Sequence, residues 1–123
     1  MTAVLDFEYA IPIARSLDFV TGLRAAMPYF KNPEPWAEAR AYSVGFARWV
    51  ALTDAEIAAV PDLLRLRSAI TVLWWIGRAA ATGTAGPLVS RMRFGRELCD
   101  WLARAEAPLM EVVRQSLRAS LDG

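Results

Sequence analysis

The sequence predicts a mainly α-helical domain of about six helices, with one short N-terminal strand. Three observations point that way. Apolar residues recur at helical spacing from Trp36 onward, a capping box stands at Thr53-Asp54-Ala55-Glu56, and Pro and Gly gather between the periodic segments. The 123 residues suit a single domain, 1–123, and are too few for two ordinary ones.

Taken in order, Thr2 to Leu5 reads as a strand ending at Asp6, and Pro12 keeps Phe7 to Arg15 irregular. Ser16 is placed to cap a helix running to about Met27, with Asp18 in the first turn, where a negative charge suits the helix dipole. Lys31-Asn32-Pro33-Glu34-Pro35 is a connector. From Trp36 to about Leu52, residues Ala39, Tyr42, Phe46, Trp49 and Val50 form one apolar face. Thr53 and Glu56 reciprocally satisfy free N–H groups at the start of a short helix ending near Pro61. Pro61 then opens a long helix to about Ala81. Its stripe is Leu63, Leu66, Ile70, Leu73 and Gly77, and Val72, Trp75 and Ile76 make its second half apolar almost all round. That pattern places it at the centre of the core. After the loop Thr82–Pro87, a helix from about Leu88 to Arg104 directs Leu88, Met92, Gly95, Cys99 and Leu102 inward. A last helix, about Pro108 to Leu121, directs Leu109, Val113, Leu117 and Leu121 inward.

Composition narrows the functions open to the chain. The net charge of +1, from 14 basic and 13 acidic residues, argues against a nucleic-acid partner. There is no His, which removes Ser-His-Asp and Cys-His catalysis and His-ligated metals. One Cys, Cys99, forms no internal disulfide and fits a reducing, cytoplasmic setting; it reads as a small buried residue. The most apolar run, Ala69 to Ile76, falls far short of the ~20 residues of a membrane span, and no secretory signal is visible. Arg outnumbers Lys thirteen to one, which reads as coding bias. The cluster Arg91, Arg93 and Arg96 reads first as a solvated face and second as a site for phosphate or an acidic partner.

Residues Val4-Leu5-Asp6-Phe7-Glu8 and Arg15-Ser16-Leu17-Asp18-Phe19 to Leu23 resemble a segment of the aminoglycoside phosphotransferase and choline kinase-like superfamily. That superfamily includes type II homoserine kinases, and the segment is the one following the catalytic loop. The later Leu52-Thr53-x-x-Glu56 and Leu63 to Arg67 runs, with the Trp74-Trp75 helix, are similar to the helical subdomain of its bacterial members. The resemblance implies the C-terminal helical subdomain of a protein-kinase-like fold acting on a small-molecule acceptor with ATP and Mg²⁺. It implies that Asp6 holds Mg²⁺, that Glu8 supports it, and that Asp18 is structural. A carboxylate at a strand end suits this, because Mg²⁺ takes one or two hard oxygen ligands besides phosphate and water. The family's His-Gly-Asp loop and following Asn belong before Asp6. Their absence implies a C-terminal portion, a truncated product or an internal start, that is inactive alone and binds neither ATP nor Mg²⁺.

Other readings stand beside this one. By composition alone, Asp6-x-Glu8 is a solvated turn. Trp74, Tyr42 and Trp49 are candidates for an acceptor pocket, although large aromatics at helical spacing more often pack in a core. Adjacent tryptophans point about 100° apart on a helix, and Trp74 is the one placed to face a pocket. The alternative to a phosphotransferase portion is a stand-alone helical interaction module that self-associates or binds a protein partner. A weaker third reading is a binder of small apolar ligands. A severed two-lobed enzyme exposes apolar surface, so a homo-oligomer or a companion polypeptide is expected.

Overall fold

A computed structural model describes residues 15–122 of the chain, with side chains to 118. The described residues form five helices and no strand: α1 over 15–26, α2 Trp36–Ala47, α3 Asp54–Ala58, α4 Val60–Thr82 and α5 Gly86–Asp122. The expected strand Thr2–Leu5 lies outside the described residues.

Each start and stop has a local cause. Ser16 lies within α1 instead of capping it, and its hydroxyl donates to Glu56 Oε2 at 3.4 Å. Around Gly45 and Phe46 the carbonyls accept from Arg48, Trp49 and Val50, which closes α2 well before the expected Leu52. The capping box is present: Thr53 Oγ1 accepts from the Glu56 N–H at 3.1 Å, and Glu56 Oε1 accepts from the Thr53 N–H at 3.0 Å. Pro61 sits in the first turn of α4, where its missing N–H costs nothing. Gly83, at φ +73°, caps the far end in the left-handed region, and its N–H donates to the Ala79 carbonyl at 2.8 Å.

Five helices replace the expected six because Pro108 does not break the chain. The segments expected as Leu88–Arg104 and Pro108–Leu121 are one 37-residue helix. An internal proline costs roughly 3 kcal/mol, through a lost hydrogen bond and a clash with the preceding turn. Here Pro108 lies on the solvent face, where long helices already curve outward. Leu102, Ala105, Leu109 and Val113 hold the opposite face in the core across it.

The core sits at one end of the molecule. Phe19, Val20, Leu23 and Met27 of α1 and its exit meet Ala39 of α2, Ile57 of α3, Val60 and Leu64 of α4, and Leu98 to Leu117 of α5. Phe19 packs against Tyr42 and Phe46 with ring centroids 5.4 and 5.0 Å apart. Trp101 locks the connector to α5 by stacking on Tyr29 at 5.2 Å and donating its indole N–H to the Pro33 carbonyl at 2.9 Å. Buried Glu56 binds Arg15 at 2.8 Å, joining α3 to α1.

The second half of α4 is not the centre of the core, contrary to its apolar pattern. Only Val60, Pro61, Leu64 and Ser68 of α4 are buried, and no residue from 69 to 97 is. Beyond Ser68, α4 and the start of α5 leave the core as a two-helix hairpin that closes at Gly83. The stripe Leu66, Ile70, Leu73 and Gly77, whose Leu73 borders the groove beside α5, is a real helical face, but it lies outside the core. Nothing among the described residues covers it.

Candidate functional site

Among the described residues, the distal hairpin carries most of the exposed large apolar side chains, including Ile70, Leu73, Trp74, Val89 and Met92. Its two helices close on each other through Ser68 and Val72 against Gly95, where an added Cβ would meet carbons only at 3.8 and 3.9 Å. The Arg91 guanidinium stacks over Trp75, 5.6 Å from the ring centroid. The ion pairs of Arg65, to Asp62 at 3.3 Å and Glu106 at 3.1 Å, lie at the core end of the hairpin.

One flank forms an open apolar groove of about 450 Å³. Ala69, Val72 and Leu73 of α4 face Met92, Gly95 and Cys99 of α5, and Arg65 and Arg96 stand at its rim. Leu73 and Met92 are 66% and 54% exposed, which for large apolar side chains marks an uncovered surface. Ile76 and Val89 extend the same face by one turn each. Cys99, expected to be buried, lies exposed here, and so does Met92, because the hairpin has no layer above it.

The opposite flank is cationic. Arg24 of α1, Arg67 of α4 and Arg91 of α5 line a cleft of about 280 Å³ together with Thr21, Phe30 and Phe94. The expected cluster Arg91, Arg93 and Arg96 is thereby divided, with Arg91 in this cleft and Arg96 at the apolar groove. Arg24 and Arg67 carried no signal in the sequence, since only the packing of α1 beside the hairpin brings them to Arg91.

The proposed acceptor-pocket aromatics stand in three different surroundings. Trp74, 56% exposed, packs edge-on against Trp75 at 4.9 Å and lies beneath Arg78, lining a shallow pocket with Arg67, Ile70 and Thr71. Tyr42 lies over Gly22 in the α1–α2 interface and donates to the Asp18 carbonyl at 3.3 Å. Partial burial raises its phenol pKa above the usual value, and the nearby Asp18 carboxylate adds to the shift. Trp49, 89% exposed, stands beyond the end of α2. Asp18 is exposed in α1 and makes no ion pair among the described residues.

Asp6 and Glu8 lie outside the described residues. Among the described residues, no three His, Cys, Asp or Glu side chains gather as a metal site, and no helix is long and apolar enough to cross a membrane. Compared with known protein families, curated proteins and solved structures, the chain matches none of them.

Proposed function

We propose that the chain is a helical association module whose distal hairpin pairs with a second copy of itself. The observation that carries this reading is the unburied stretch 69–97, which includes the most apolar run in the sequence. Its groove face leaves Leu73, Ile76, Val89 and Met92 contiguous and exposed to water, and a contiguous apolar patch of that kind marks an interaction surface. Two antiparallel helices with one apolar face are half of a four-helix bundle, and a second identical hairpin completes it.

Charge favours an antiparallel pairing. It lays the α4 C-terminus of one copy, the negative end of its helix dipole, beside Arg65 and Arg96 at the groove rim of the other. The phosphotransferase reading has no comparable support, since Asp6 and Glu8 lie outside the described residues and Trp74, Tyr42 and Trp49 occupy separate surroundings. Mg²⁺, ATP and a small-molecule acceptor rest on the resemblance alone.

Sedimentation equilibrium tests the pairing. The wild-type chain should be a dimer at micromolar concentration, and Leu73→Glu should be a monomer with unchanged helical circular dichroism. A wild-type monomer throughout the micromolar range, or a Leu73→Glu variant that still dimerises, would refute it.

A further inference from the structure

We propose that the cationic cleft between α1, α4 and α5 binds a small aromatic anion. Its carboxylate or phosphate would sit among Arg24, Arg67 and Arg91, and its ring would lie against Phe30 and Phe94. This site is separate from the apolar groove and does not depend on the pairing of hairpins.

The first reason is electrostatic. Three arginines line one cleft, and among the described residues no carboxylate lines it and none of the three forms an ion pair. Like charges gathered in this way repel, and an oxyanion turns the repulsion into attraction. The chain has 13 acidic residues, and none of those described lines the cleft.

The second reason is preorganisation. Arg67 donates from Nη1 to Thr71 Oγ1 at 2.9 Å and from Nε to Thr21 Oγ1 at 3.4 Å, which fixes its plane and leaves Nη2 free of those bonds. Arg91 is steadied by its stacking on Trp75. Planar, weakly hydrated guanidinium groups held in place suit a two-oxygen head. The third reason is shape. Phe30 and Phe94 are both exposed beside this charged floor, and about 280 Å³ suits a single-ring ligand.

Isothermal titration calorimetry at low ionic strength, with phenyl phosphate, benzoate and inorganic phosphate as separate probes, tests the site. The expected result is saturable one-to-one binding of phenyl phosphate or benzoate, several-fold tighter than inorganic phosphate, the tighter of the two naming the head group. The double variant Arg67→Gln/Arg91→Gln should weaken it by about tenfold or more. Arg93→Gln, on the same helix but outside the cleft, should bind as wild type, and circular dichroism should show all variants equally helical. Lack of saturation by either aromatic anion at millimolar concentration overturns the proposal. So does inorganic phosphate binding as tightly, or an equally helical double variant that binds as wild type.

Discussion

The two halves of α5 follow the same periodic rule and end in different surroundings. From Leu98 to Leu117 the residues Leu102, Ala105, Leu109 and Val113 form a continuous buried stripe against α1, α2 and α4. From Leu88 to Cys99 the spacing is equally helical, yet Met92 and Cys99 are exposed, and α4 alone forms the other wall of the groove they line. A stripe therefore identifies a surface that wants covering, and says nothing about whether this chain supplies the cover. In the first half a second layer of helices is present. In the second, the same chemistry stands ready for another molecule.

Paired truncations should break or sharpen that contrast most strongly. Leu102→Ala should destabilise the fold by about 2–5 kcal/mol, because it leaves a cavity in a closed core. Met92→Ala should change the stability of the monomer by no more than about 0.5 kcal/mol in urea denaturation at a concentration below dimerisation. Equal losses at the two positions would mean that the hairpin is covered within the monomer after all.

A smaller effect is expected where α1 meets α2. A Cβ at Gly22 would overlap the Tyr42 hydroxyl and ring, so Gly22→Ala should cost about 1–3 kcal/mol in the same assay. On the hairpin, by contrast, Gly77 has open space around it, and Gly77→Ala should stabilise the helix by up to about 1 kcal/mol.

The smallest effect is a titration at the core end. Tyr42 holds its proton more tightly folded than unfolded, because burial and then the Asp18 charge disfavour the phenolate. The stabilisation this contributes is whole below the unfolded tyrosine pKa and is lost as pH rises through the folded one. Stability should therefore fall as pH rises above the ordinary tyrosine range. In ultraviolet difference spectra, Asp18→Asn should shift the Tyr42 midpoint part of the way back. A midpoint unmoved by Asp18→Asn would leave burial as the whole cause.

Much of the proximal architecture was legible in the residues. The Thr53–Glu56 box opens α3, Pro61 stands in the first turn of α4, and Leu109, Val113 and Leu117 point inward as their spacing requires. Three things were not legible, for physical reasons. Pro108 interrupts a pattern locally, but its tolerance depends on which face of α5 meets solvent, and that is a tertiary fact. The stripe Leu66, Ile70, Leu73 and Gly77 is as periodic as a buried one, so periodicity alone placed it in a core that lies elsewhere. The cationic cleft was hidden for a third reason. Arg24, Arg67 and Arg91 are far apart in the chain, and only one belonged to a visible cluster.

The unbroken passage of α5 through Pro108 has a consequence for any assembly built on the hairpin. At 1.5 Å per residue its 37 residues make a strut about 55 Å long, rooted at one end and carrying the turn at the other. Two chains joined through antiparallel hairpins hold their globular ends apart like the weights of a dumbbell. The gap between them is set by helix length, and a spin label on each end should report one narrow distance.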